Sequence, residues 1–153
     1  GTHQQPRGRL VQAMQTLLFV DDEAVYLQMM QEFFEMRGHH VVTADNGYEA
    51  LSKVKEIHPD AVFLDIRMPG MDGVETFRLI REFDADMPIV IVSGYTSEEL
   101  ARDLLKDGAF DFVTKPVEMR RLAEIAGHLE TLQEIREIDD DDEPGSEAAD
   151  RDR

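Results

Sequence analysis

Five short apolar runs punctuate the chain, at residues 17–20, 40–44, 61–64, 88–92 and 109–113. They are rich in Val, Ile, Leu and Phe, as strands buried on both faces are. Between them the apolar period lengthens to that of a helix. Residues 24–37 repeat apolar positions at Val25, Met29, Phe33 and Met36 and stop at Gly38, a residue suited to a helix C-terminus. Asn46-Gly47-Tyr48-Glu49 has capping-box spacing and leads into Ala50, Leu51, Val54 and Ile57, after which His58-Pro59-Asp60 breaks the helix. Residues 73–83 carry Val74, Phe77 and Ile80 on one face. Ser97 caps a helix over 98–107 that ends at Gly108, and a last helix begins near Val117. Strands alternating with helices predict a parallel sheet covered on both faces, joined by right-handed crossovers. The predicted fold is α/β: a flavodoxin-like (βα)5, doubly wound, five-stranded sheet of order 2-1-3-4-5. Its switch point lies between strands 1 and 3.

The residues that follow the runs carry the chemistry. Asp65 ends the run Ala61-Val62-Phe63-Leu64, and Met68-Pro69-Gly70 cannot continue a strand. The carboxylate is therefore expected at the C-terminal edge of a strand, where open α/β sheets bind ligands. Strand 1 runs into Asp21-Asp22-Glu23, strand 4 into Ser93-Gly94 and strand 5 into Lys115-Pro116. In the 2-1-3-4-5 order, Asp21, Asp22 and Asp65 converge on one crevice. Each pair of such carboxylates, at about 4 Å and an effective dielectric near 20, repels by on the order of 4 kcal/mol. A hard divalent cation with oxygen ligands relieves this, and Mg²⁺ suits a site that also bridges to phosphate, with Mn²⁺ able to substitute. Asp22, Asp65 and the backbone carbonyl of Arg67 are the expected direct ligands, with Asp21 acting through water. Asp65, at the centre of the crevice, is the expected nucleophile toward phosphorus. Lys115, the Ser93 hydroxyl and the backbone near Gly94 would then meet the equatorial oxygens of the phosphoryl group. Taken singly, each of these residues suits an ordinary solvated loop. Their agreement on one edge of one sheet points to a site.

Composition narrows the partners. The chain has 153 residues, no Cys and a net charge of −17, and its 42% hydrophobic content is that of a globular protein. Residues 139–153 hold eight acids against two arginines, a net of −6, which leaves −11 on residues 1–138. Such a body repels nucleic-acid phosphates and anionic membranes, so no direct nucleic-acid or membrane partner is expected. No apolar stretch approaches the roughly 20 residues that span a bilayer. Lack of cysteine excludes disulfides and thiolate chemistry and suits a cytoplasmic location.

At this point the sequence resembles a response-regulator receiver domain of two-component signalling. The matching pieces are Asp21-Asp22, Asp65 with Met68-Pro69-Gly70 and Asp72-Gly73, Ser93, and Lys115-Pro116, within roughly residues 16–128. The resemblance implies a phosphoprotein of a phosphorelay: Asp65 accepts a phosphoryl group from a histidine kinase or phosphotransfer protein, with Mg²⁺ required. It implies a cis peptide at Pro116, a switch made by Ser93 and Phe112, and tuning of dephosphorylation by Arg67 and Tyr95. Many members carry Tyr where this chain has Phe112, so a hydroxyl is missing there. The readout implied is the surface of helix 4, strand 5 and helix 5, used for docking a downstream protein or effector domain or for a phosphorylation-dependent homodimer. Such a domain is a switch and not a turnover enzyme.

Residues 1–15 read as a disordered or tag-derived extension, 129–138 as an extension of helix 5 suited to a coiled coil or linker, and 139–153 as a disordered acidic tail. A single-domain regulator and a receiver from a longer protein fit equally. Two rival functions are an aspartyl-phosphate phosphohydrolase of haloacid dehalogenase type and a phosphorylation-independent interaction domain. The first needs a general acid two residues after the nucleophile, where this chain has Arg67, and the second leaves the acidic set and Lys115 without a purpose.

Overall fold

The computed structural model describes residues 15–67, 72–94 and 98–151, with side chains through Ile138. Contacts divide the chain into two units, residues 1–119 and 120–153. In the first unit, strands β1 (Thr16–Val20), β2 (His40–Ala44), β3 (Ala61–Leu64), β4 (Ile89–Ser93) and β5 (Asp111–Thr114) form one sheet of order β2-β1-β3-β4-β5. All four pairings are parallel. The expected fold class and strand order are those observed.

Central strands are buried through and through: Leu17 to Val20, Ala61 to Leu64 and Ile89 to Val92 are at most 2% exposed. This is why they read as unbroken apolar runs instead of alternating ones. Strand β5 begins at Asp111, two residues later than the apolar run, although Phe110 N–H already donates to the Ile89 carbonyl.

Helices α1 (Ala24–Met36), α2 (Gly47–Ile57), α3 (Gly73–Phe83) and α4 (Glu98–Lys106) connect the strands. In α1 the buried residues are Leu27, Met30 and Phe34, whereas Val25 and Met36 are 72% and 87% exposed. The apolar repeat that marks this helix in the sequence is thus its more exposed stripe. Both stripes of this helix are apolar, and packing chose between them: Phe34 meets the rings of Phe19 and Phe63, which are stacked on each other at 4.6 Å. The helix closes at Gly38, whose φ of 95° suits a residue without Cβ, with His39 N–H bonded back to Phe34. The Asn46 side chain caps α2 through Glu49 N–H, while the returning Glu49 carboxylate takes Asp45 N–H. Asp72 caps α3 through Glu75 N–H.

The second unit consists of helix α5 (Met119–Arg151), apart from its first residue. Leu122, Ile125, Ala126 and Leu129 are buried, and Leu132, Ile135 and Ile138 are exposed. The helical backbone is described through Arg151. The expectations for residues 1–14, for Met68-Pro69-Gly70, for Tyr95 and for the Ser97 cap lie outside the described residues.

Candidate functional site

The site lies one residue beyond the ends of β1 and β3. Those strands pair Val20 with Leu64, and their ladder continues as Asp65 N–H donates to the Val20 carbonyl, while Asp21 N–H donates to the Ala44 carbonyl at the end of β2. Asp21 and Asp65 therefore leave the sheet side by side. Each carboxylate is then fixed by its own loop: Asp21 Oδ1 accepts Glu23 N–H at 2.9 Å, and Asp65 Oδ1 accepts Arg67 N–H at 3.1 Å. Asp22 is exposed, while Asp21 and Asp65 are 0% and 5% exposed. One carboxylate oxygen from each of the three lies within 4.8 Å of the others. This all-oxygen set, with two members held by backbone N–H groups and one open to water, fits a hard cation such as Mg²⁺.

Lys115 reaches the same place from the end of β5. Its N–H pairs with the Ser93 carbonyl, extending the Ser93–Thr114 register, and its peptide to Pro116 is cis. The ammonium donates to Asp21 Oδ2 at 2.6 Å and stands 3.6 Å from Glu23 Oε1 and 3.7 Å from Asp65 Oδ2. Burial opposes its charge, yet the hydrogen bond to Asp21 and the charges of Asp21, Asp65 and Glu23 outweigh that and raise its pKa. Burial likewise raises the Asp21 carboxyl, against the opposing pull of Lys115. Asp65 is pushed up to about 6, chiefly by burial and further by Asp21 and Asp22, against the Arg67 N–H and Lys115.

The other expected residues are placed less tightly. Ser93 is buried at the end of β4, and Phe112 is half-buried against the sheet core. Arg67 is exposed, and its backbone N–H engages Asp65. A Cβ at Gly94 would make ordinary contact with the Lys115 stem at 3.8 Å, so among the described residues nothing demands a glycine there.

Two residues that the sequence reading gave no role join the site. Glu23 lies near Lys115, and Tyr26 turns its ring toward the ammonium, with Nζ 4.6 Å from the ring centroid. Burial, then Asp21, Asp65 and Glu23, raises the Tyr26 hydroxyl above its ordinary value.

Beneath the site, Gly73 opens α3 against the β3 loop. A Cβ there would fall on Ile66 Cα and within 2.6 Å of the Ile66 carbonyl oxygen.

Residues 17–127 match the response regulator receiver domain family. Over 124 residues the chain is 36% identical to the regulatory protein AtoC of Escherichia coli, covering 81% of this chain and 27% of AtoC. It thus spans about a quarter of that relative. It is 37% identical over 109 residues to the chemotaxis protein CheY of Bacillus subtilis, covering 71% of this chain and 91% of CheY. Among solved structures, it resembles a chain of the CheX–CheY–BeF3–Mg²⁺ complex of Borrelia burgdorferi at a TM-score of 0.68 and 33% identity, covering 71% of this chain and 84% of that one. With the strand order and the matched residues in agreement, this chain belongs to the response regulator receiver domain family.

Proposed function

We propose that the domain is a phosphoacceptor switch, with Asp65 taking a phosphoryl group from a phosphohistidine of a histidine kinase or phosphotransfer protein. The observation that carries this reading is the Lys115 ammonium 3.7 Å from Asp65, at the edge of a three-carboxylate cluster in a receiver domain. A carboxylate oxygen of Asp65 attacks phosphorus and the P–N bond breaks. Its electron pair returns to the imidazole nitrogen, which takes up a proton, and Asp65 is left as an acyl phosphate. Lys115 shifts from Asp21 toward a phosphoryl oxygen, and Ser93 offers its hydroxyl to another.

Asp22, Asp65 and the Arg67 carbonyl would hold Mg²⁺, with Asp21 through water. The ion would offset the carboxylate charges and the charge on the transferred group. The solved Borrelia burgdorferi complex that contains a similar chain includes Mg²⁺ and BeF3, which supports the same ion for this chain. Phe112 follows Ser93 when the site is occupied, Gly94 lines the approach, and Arg67 and Tyr95 set the rate at which the phosphate is lost. Output passes through α4, β5 and α5 to a downstream protein or to a second copy. The exposed Leu132, Ile135 and Ile138 suit a short coiled coil or linker. Among the described residues no helix is long and apolar enough to cross a membrane, and we read the domain as cytoplasmic.

Incubation with acetyl phosphate and Mg²⁺, followed by intact mass, tests the reading. A single phosphate adduct on the wild type, absent from Asp65→Asn, is the expected result. Continuous phosphate release would favour a hydrolase, and no adduct at all an inert interaction domain.

A further inference from the structure

We propose that Tyr26 is a positioning residue for Lys115, its ring face holding the ammonium at the acidic cluster while Lys115 exchanges Asp21 for the phosphoryl group. The inference rests on the phosphoacceptor reading and adds a residue to that site. Lys115 is a flexible four-carbon stem ending in a point charge. Three carboxylates compete for that charge, at 2.6 Å (Asp21), 3.6 Å (Glu23) and 3.7 Å (Asp65). Glu23 is 68% exposed, so its pull leads the ammonium away from the buried acceptor and toward solvent. The Tyr26 ring supplies a fourth attraction, with Nζ 4.6 Å from its centroid, within the range over which an aromatic face binds a cation.

The kind of attraction matters. A fourth carboxylate here would compete with the phosphoryl group for the same ammonium. An aliphatic side chain would fill the space without attracting it. An aromatic face attracts the cation yet carries no net charge, so it can keep Nζ in reach while the hydrogen-bonded partner changes. Tyr26 is half-buried in the first turn of α1, and that turn is fixed by Leu27 N–H donating to the Glu23 carbonyl. The ring is thus carried on the same loop that sets Asp21 and Glu23. The hydroxyl has no part in this role, which separates the ring face from other functions a tyrosine could serve.

The test compares wild type, Tyr26→Phe and Tyr26→Leu in the full chain, by the rate of adduct formation with acetyl phosphate and Mg²⁺. The Lys115 side-chain proton shifts in the metal-free protein and the thermal midpoints are measured alongside. Phe should keep the rate within about twofold and keep the ring-current displacement of the Lys115 protons nearest Nζ. Leu should slow the reaction on the order of 5- to 10-fold, the scale of a partly desolvated cation–π contact, and return those protons to ordinary shifts. Leu matching the wild type in rate overturns the proposal. So does Phe as slow as Leu, which would assign the role to the hydroxyl. Should the wild type form no adduct, the phosphoacceptor reading fails, and the shifts alone decide whether Tyr26 holds the ammonium: unaltered shifts in Leu overturn it.

Discussion

Lys115 bonds to Asp21 at 2.6 Å and not to Asp65, which it faces across 3.7 Å. The nearest anion to the ammonium is thus a buried neighbour of Asp65. Removing one partner leaves the other without its hydrogen bond in a desolvated place, which costs about 1–3 kcal/mol. Lys115→Met should lower stability in urea unfolding by that amount. Adding Asp21→Asn should restore part of it, giving a coupling energy on the order of 1 kcal/mol in a double-mutant cycle. Strictly additive losses would show that the pair contributes nothing jointly.

The pH response follows from Asp65, whose carboxyl is raised from 3.8 to about 6 in the folded protein. Between those values the folded state binds the proton more tightly than the unfolded chain does. This contribution to stability is full below about pH 4 and is lost as pH rises through 6. At neutral pH the ionised group therefore costs up to about 3 kcal/mol, at 1.36 kcal/mol per unit. In metal-free buffer, Asp65→Asn should be more stable than wild type at pH 7.5 by on the order of 1–3 kcal/mol. The gap should close as pH falls to 4. A variant less stable than wild type at pH 7.5 would remove the claim that the acceptor is held at an electrostatic cost.

A bound cation would relieve that cost. A ligand that binds only the folded state stabilises it by about 2.7 kcal/mol at a hundred times its dissociation constant. Titrating Mg²⁺ at pH 7.5 should raise the thermal midpoint of the wild type by several degrees. Asp65→Asn and Asp22→Asn should each flatten that rise, whereas Asp111→Asn, on β5 and outside the cluster, should leave it intact. Equal responses in all four proteins would indicate general ionic screening.

Much of this was legible in the sequence because the strands are buried on both faces and end in short polar loops. Apolar runs gave the strand positions, and the polar residues after β1, β3 and β5 are ones the fold brings together. The face of α1 was not legible, since Val25, Met29, Phe33 and Met36 make as good a stripe as Leu27, Met30 and Phe34. Only the aromatic cluster of Phe19, Phe34 and Phe63 distinguishes them, and that depends on contacts between distant segments. Tyr26 escaped for a related reason. An aromatic in the first turn of a helix reads as core until Lys115, eighty-nine positions later, is seen above its ring.

Gly73 carries a prediction that separates placement of Asp65 from its chemistry. A Cβ there would overlap the backbone of Ile66 and approach the Asp65 carbonyl oxygen to 2.5 Å. These are backbone atoms, with no rotamer to yield, and Gly73 N–H also donates to the Ile66 carbonyl at 2.9 Å. Gly73→Ala should therefore push α3 away from the loop that orients Asp65, at a cost of about 1–3 kcal/mol typical of overpacking. Phosphoryl uptake should fall along with stability, although no side chain of the site has changed. At Gly94 the same substitution meets, among the described residues, only the Lys115 stem at 3.8 Å, so Gly94→Ala should leave stability nearly unaltered. Urea unfolding and adduct formation on both variants decide the matter. A Gly73→Ala protein as stable and as reactive as wild type would show that the β3–α3 connection can move without disturbing the acceptor.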